Sequence, residues 1–232
     1  MTEALPGAAQ AAYEPARAPR SLRPVTVEQG GDQGDRTVPP SDAAAIVLAG
    51  GAGRRMGGAD KAALRVGGLT LLDRVLDAAR PLCAELVVVG PRRHTEVPGV
   101  AFVQEHAPGG GPVPAVLAGL AATRGDVVLA LATDLALLRT VDLSRLLAAL
   151  RDDPDLDAVA ALDERPAPNP LLAAYRRHIL ERVERAGPGP GTPAAALLAG
   201  RVDTVELGLH ATCNVNRPAD LRQAEALLWL AT

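Results

Sequence analysis

The sequence predicts an α/β protein, a mostly parallel open sheet with helices on both faces. Three observations predict it. AAIVLAGG and DVVLALATD are short, fully apolar runs, the pattern of parallel strands buried on both sides. Other stretches carry apolar residues at helical spacing. The two kinds alternate along the chain, which is how strands joined by crossover helices are written.

Residues 1–42 are rich in Ala, Pro, Gly, Arg and Asp without helical or alternating period, so they are expected to form a disordered extension, with the folded domain spanning 43–232. Ala44 to Ala49 open that domain as a strand ending in glycines. TLLDRVLDAARPL follows as a helix with Leu71, Leu72, Val75, Leu76 and Ala79 on one face. ELVVVG and AFVQE read as strands, PVPAVLAGLAAT as a helix opened by proline, and DVVLALATD as a further strand. Leu143, Leu146, Leu147 and Leu150 then mark one stripe of the next helix. The second half is less regular. DAVAAL, LLAAYR and VDTVEL read as strands, HILERVERAG as a helix ended by glycine, and PADLRQAEALLWL as the closing helix. Thr192 and Pro193 read as an N-cap and first-turn pair before AAALLAG.

Composition narrows the function classes. Hydrophobic residues are 48% and aromatics 2%, so the core has to be built from Ala, Leu and Val. A net charge of −3 gives no bulk attraction to nucleic acid or membrane, and no partner of either kind is expected. A phosphorylated small ligand needs positive charge in only one loop. Cys83 and Cys213 are the only cysteines, and His94, His106, His178 and His210 are scattered, which argues against a zinc site or a disulfide framework. The N-terminus lacks the basic start and apolar stretch of a secretory signal, and no run is long enough to span a bilayer. The expectation is a cytoplasmic protein, a monomer or weak homo-oligomer.

The informative segment is LAGGAGRRMGGADKAAL, residues 48–64, directly after the first strand, at the carboxyl edge where open α/β sheets bind ligands. Gly50, Gly51 and Gly53 carry no Cβ, so successive N–H groups can converge on phosphate oxygens along with the backbone of Leu48 and Ala49. Arg54, Arg55 and Lys61 supply positive charge for a triphosphate. A Walker A loop would end in G-K-[ST], whereas this one ends Asp60-Lys61-Ala62. The dinucleotide fingerprint would place a third glycine where Met56 stands.

LAGG-x-x-x-RMGG-x-DK resembles the signature of the molybdenum cofactor guanylyltransferases, within the wider nucleoside-triphosphate transferase fold. Related isoprenoid-pathway cytidylyltransferases carry Pro-Lys where this chain has Asp60-Lys61. The resemblance covers about residues 44–230 in element order and is sharpest in the first loop and near the C-terminus. It implies a Rossmann-like sheet of the nucleotide-diphospho-sugar transferase kind. It implies GTP as donor, a molybdopterin acceptor carrying molybdenum, and Mg²⁺ as cofactor. An anionic acceptor attacking an anionic α-phosphate needs charge neutralisation, which a carboxylate-held Mg²⁺ provides. Asp134, at the end of DVVLALATD, reaches the same sheet edge as the glycine loop and matches the family's metal aspartate. Arg55, Lys61 and Asp134 are therefore the candidate catalytic residues.

Glu105 stands where the family has an acidic nucleotide contact, usually Asp. Gly109-Gly110-Gly111-Pro112 opens a helix whose free N–H groups suit a phosphate or base. CNVNRPADL resembles the family's Asn-Val-Asn-x-Pro segment, which implies that Asn214 and Asn216 serve the acceptor and the metal region; Asn216 also reads as a cap before Pro218. The chain departs from the family at Ala136, where a proline is usual, at Gly90, where an asparagine is common, and at Asn169, where glutamine is frequent before the acceptor-side strand. Two alternatives share the scaffold: a nucleotidyltransferase using CTP or a sugar or alcohol phosphate, and a non-catalytic nucleotide-binding protein.

Overall fold

Apolar residues alternating between two faces decide how this chain folds. The computed structural model describes residues 42–50, 60–105, 109–162 and 167–230. The expected extension lies outside these residues apart from Asp42, as does the loop segment 51–59.

The chain runs through Ala43–Leu48 (β1), the hairpin Arg65–Val66 (β2) and Leu69–Thr70 (β3), Leu71–Ala79 (α1), Glu85–Val89 (β4) and Val100–Val103 (β5). Pro112–Ala121 (α2), Val127–Ala132 (β6), Thr140–Asp152 (α3), Ala158–Leu162 (β7) and Pro168–Arg176 (β8) follow. Arg177–Arg185 (α4), Val202–Val205 (β9) and Pro218–Leu230 (α5) complete it. Seven strands form one sheet in the order β5-β4-β1-β6-β8-β7-β9. β5, β4, β1 and β6 are mutually parallel, and β7 is parallel to β9. β8 is antiparallel to both β6 and β7. Only residues 163–167 separate β7 from β8, too few for a crossover helix, so the chain has to double back. The expectation of a mostly parallel sheet with helices on both faces is borne out.

Strand periodicity sorts the core. Ala43, Ala45, Val47, Leu86, Val88, Leu129 and Leu131 point to one face, under Leu72, Val75 and Leu76 of α1 and Leu143, Leu146 and Leu147 of α3. Ile46, Val87, Val89, Val128 and Ala130 point to the other, under Val113 and Val116 of α2 and Ile179, Leu180 and Val183 of α4. Tyr175 is the one large aromatic of the second face, fully buried, and its hydroxyl donates to the Pro170 carbonyl at 2.8 Å. A third cluster joins Val66, Leu71, Ala136, Leu137, Cys213, Val215 and Ala224, and it fastens α5 and the 213–215 segment to the sheet's carboxyl edge.

Several local readings are corrected. The β2–β3 hairpin is absent from the sequence reading because each strand has only two residues; Gly67 and Gly68, at φ +57° and +85°, make its two-residue turn. AFVQE ends as a strand at Val103, leaving Glu105 beyond it. β8 begins at Pro168, so Asn169 and Pro170 lie inside the strand; the β7–β8 register shift between Ala160 and Ala161 lets a proline sit there without breaking a ladder bond. Ala194–Leu197 is a single 3-10 turn whose cap is Pro193, while the Thr192 hydroxyl donates to the Gly189 carbonyl at 2.7 Å.

A core of small residues allows α2 to lie close to β1. A Cβ built on Gly119 would sit 2.4 Å from Cγ2 of the buried Ile46 and 3.1 Å from Cγ2 of Val89. Gly119→Ala is therefore expected to destabilise the fold by about 1–3 kcal/mol, read as a lower urea midpoint at unchanged slope. An unchanged midpoint would mean that the helix shifts freely.

Candidate active site

The carboxyl ends of β1, β4 and β6 frame the site. β1 and β6 pair in parallel up to Leu48↔Ala132, so the residues that follow each strand emerge side by side. The Leu48 carbonyl accepts from Thr133 twice, from its backbone N–H at 3.3 Å and from its hydroxyl at 3.0 Å. On the other side, Ala49 N–H donates to the Val89 carbonyl at 2.8 Å. The start of the glycine loop is thus held between β4 and β6, with Gly50 exposed beyond it. Gly51, Gly53, Arg54 and Arg55 lie outside the described residues.

Past the loop, Asp60 caps a short 3-10 turn, Lys61–Ala63, by accepting from Ala62 N–H at 3.2 Å. Ala62 is buried, which sends the neighbouring Lys61 side chain across the sheet edge. Its Nζ donates to Asp134 Oδ2 at 2.7 Å and to Asn216 Oδ1 at 2.8 Å. These partners stand 73 and 155 residues away in the chain. The lysine and aspartate side chains are 23% and 20% exposed, so the pair is open enough for a ligand to reach yet sheltered from full screening.

Asn216 arrives by way of a backbone bridge. The turn after β6 pairs with the extended 213–215 segment: Val215 N–H donates to the Asp134 carbonyl at 3.0 Å, and Ala136 N–H donates to the Cys213 carbonyl at 3.3 Å. A proline at 136 could not make the second bond, which gives Ala136 a structural reason to depart from the family pattern. Cys213 and Val215 enter the third core cluster, so Asn214 and Asn216 lie on the opposite side of that segment. The capping expectation for Asn216 is corrected: Asp220 accepts from the N–H groups of Asn216 and Arg217, both at 2.8 Å, and leaves the Asn216 amide to Lys61.

Asp134 and Asn216 converge on one cation with hard oxygen atoms, the donor type that suits Mg²⁺. Among the described residues no cluster of three or more His, Cys, Asp or Glu side chains offers a competing metal site. A metal that shares its coordination shell with substrate phosphates needs no larger protein set.

Other candidates are placed differently. Glu105 Oε2 accepts from Gly109 N–H at 3.0 Å, so its carboxylate is engaged with the glycine turn that leads into α2. Gly111, at φ +100°, is the cap of α2, with no side-chain hydrogen bond to the helix's first N–H groups. Gly90, at φ +144°, packs against the loop itself: a Cβ there would stand 2.9 Å from Ala49 C and Gly50 N. The glycine therefore allows β4 to end directly against the start of the glycine loop.

Arg93 is a residue the sequence reading missed. Its Nε donates to Asp60 Oδ2 at 2.6 Å and its Nη2 to Asp60 Oδ1 at 2.9 Å. This fork outweighs partial burial and holds the Asp60 carboxyl below its ordinary range. The available signal was a pair of arginines just past the second strand of the sheet, at the loop's own edge. Of the two, Arg92 lies over the Phe102 ring, 5.7 Å from its centroid.

Comparison with known proteins agrees with this frame. The sequence model of the MobA-like NTP transferase domain matches residues 45–204. A molybdenum cofactor guanylyltransferase of Shewanella sp. (strain MR-4) is 30% identical over 131 residues, 55% of this chain and 66% of that protein. The chain thus spans just under two thirds of the length of that relative. A probable molybdenum cofactor guanylyltransferase of Nostoc sp. is 39% identical over 145 residues, 60% of this chain and 68% of that protein. Among solved structures, the molybdopterin-guanine dinucleotide biosynthesis protein A of Archaeoglobus fulgidus superposes with a TM-score of 0.62 at 23% identity, over 81% of this chain and 99% of that one. A 2-C-methyl-D-erythritol 4-phosphate cytidylyltransferase of Thermus thermophilus gives 0.61 at 23% identity, over 79% and 97%. At that identity these structures speak for the fold.

Gly90→Ala tests the close approach. It is expected to destabilise the protein by about 1–3 kcal/mol, because the left-handed φ and the contact with Ala49 and Gly50 are both strained. Urea unfolding checks it, and a stability within about 0.5 kcal/mol of the parent would show that the two backbones part cheaply.

Proposed function

Since the chain belongs to the MobA-like NTP transferase domain family, we propose that it transfers GMP from GTP to a phosphate-bearing molybdopterin acceptor and releases pyrophosphate. One observation carries the reading: Lys61, Asp134 and Asn216, remote in sequence, meet at the carboxyl edge beside the start of the glycine loop. The names of the relatives support guanylyl transfer and this acceptor.

In this mechanism an oxygen of the acceptor's terminal phosphate attacks the α-phosphorus. The new P–O bond forms as the bond to the β-phosphate bridge breaks, and the electron pair leaves on pyrophosphate. The attacking oxygen is already ionised, so the chain supplies no general base. Its contribution is positioning and charge. Backbone N–H groups of the glycine loop, from Gly50 onward, hold the phosphates, with Arg55 as a second cation, while the Ala49 N–H stays with the Val89 carbonyl. Lys61 donates hydrogen bonds to the α-phosphoryl oxygens as their negative charge grows. Asp134 and Asn216 are the residues that would hold Mg²⁺, which when bound offsets repulsion between the two anionic reactants. Asn214, on the same side of its segment as Asn216, is assigned to the acceptor. A cytoplasmic setting and a monomer or weak homo-oligomer complete the reading; among the described residues no helix is long and apolar enough to cross a membrane.

Pyrophosphate release with molybdopterin and each of the four nucleoside triphosphates is expected to favour GTP, with no turnover when Mg²⁺ is chelated. A clear preference for CTP would move the protein to the cytidylyl branch, and no release with any triphosphate would leave a nucleotide-binding protein.

Lys61→Ala is expected to lower kcat by about 100-fold or more. Its thermal midpoint should stay near that of the parent, because a part-exposed ion pair contributes little to folding. Near-parental turnover would remove the lysine from the mechanism.

A further inference from the structure

We propose that Arg93 is a positioning residue for this reaction: by gripping Asp60 it fixes the turn that carries Lys61, and so aims the lysine ammonium at Asp134 and Asn216. The proposal rests on the role given to Lys61 above.

Besides the burial of Ala62, few bonds hold that turn. Lys61–Ala63 is one 3-10 turn of three residues, closed by Ala63 N–H to the Asp60 carbonyl at 3.1 Å and Leu64 N–H to the Lys61 carbonyl at 3.2 Å. So short a helix does not maintain itself. Lys61 in addition has four rotatable carbons between backbone and charge, so its aim depends on where its Cα is held. Asp60 governs that point, since its Oδ1 accepts from Ala62 N–H and starts the turn. The same carboxylate takes both teeth of the Arg93 fork, at 2.6 and 2.9 Å. Two parallel bonds fix the orientation of a carboxylate, which a single donor cannot do.

Arg93 itself stands on a braced loop. Its Nη1 donates to the Pro91 carbonyl at 2.9 Å. The Thr95 hydroxyl donates to Asp73 Oδ1 at 2.6 Å, and Glu96 N–H to the same oxygen at 3.2 Å. Asp73 is 4% exposed in the first turn of α1, held there by the Thr70 hydroxyl at 2.6 Å. Arg80, at the end of α1, donates to the Pro98 carbonyl at 2.6 Å. A continuous run of bonds therefore leads from the buried start of α1, through the 91–98 loop, to Asp60 and the lysine. The Arg93 side chain is 16% exposed against 44% for Asp60, so the guanidinium is the better anchored partner.

The test is a double-mutant cycle with Arg93→Ala, Asp60→Ala and the double variant, after circular dichroism has shown each folded. Arg93→Ala is expected to lower kcat by about 10- to 100-fold, since a small misplacement of a charge-stabilising group costs that much. The triphosphate KM should stay within about two-fold, because the loss falls on the transition state. In the Asp60→Ala background, removing Arg93 should cost nothing further. Arg93→Lys should recover only part of the loss, and it stands in for the alanine variant if that fails to fold. A kcat within about two-fold of the parent, or losses that multiply in the double variant, would overturn the proposal.

A crystal structure of the Arg93→Ala or Arg93→Lys protein reads the same idea without turnover. Lys61 Nζ should lose its contact with Asp134 or Asn216 in the alanine variant, and in the lysine variant it should shift. Both contacts unchanged would overturn the proposal even if the enzyme had no measurable activity. A parent protein that releases no pyrophosphate, with those contacts displaced in the variants, would overturn the functional reading and leave the positioning role standing.

Discussion

The Lys61 ammonium between Asp134 and Asn216 is the interaction on which the rest of the site depends. It can form because β1 and β6 run parallel and adjacent. Had β6 been antiparallel to β1, Asp134 would have emerged at the far edge, a strand length of roughly 17–20 Å away. Chain direction in the sheet is therefore the first determinant of chemistry here, and the local turns only refine it. The bonds from Thr133 to the Leu48 carbonyl perform that refinement at the closest point.

The third member of the group arrives by a different route. Asn216 belongs to neither β1 nor β6, and it comes into reach because residues 213–215 add a short bridge to the turn after β6. The bridge is backed by a small apolar cluster, with Leu71 at the start of α1 and Ala224 on α5. A cluster of that size contributes modest burial, but it seals the bridge from water on one side. The departures at Ala136 and Gly90 have reasons in packing and hydrogen bonding that a pattern comparison could not supply. Ala136 retains an N–H that the bridge uses, and Gly90 allows two backbones to touch.

Much of this architecture was legible in the sequence, and the legible parts share a cause. Parallel strands buried on both faces are written as unbroken apolar runs, so β1, β4 and β6 were evident, and a residue directly after such a run inherits a known edge. That is why Asp134 could be placed at the same edge as the glycine loop, whose own motif supplies Lys61. Direction is not written that way, and the antiparallel course of β8 is clear only from the short span between β7 and β8. The Arg93–Asp60 pair left no periodic trace at all, because two loops meet there and a loop's side chains obey no repeat. Asn216 was assigned both to the site and to a cap; its amide goes to Lys61, and Asp220, in the first turn of α5, accepts from the N–H groups of Asn216 and Arg217.

The scarcity of aromatic residues shapes what light can report about this molecule. The single tryptophan, Trp229, sits in the last turn of α5 and is 79% exposed, while the sealed aromatic ring of the core belongs to Tyr175. Tryptophan emission would therefore report on that last turn of α5 rather than on the sheet. The near-ultraviolet dichroism of a tyrosine in a rigid, asymmetric environment is the signal tied to the packed interior. Two optical probes on one sample would so register separate events, fraying of the terminal helix and dissolution of the sheet.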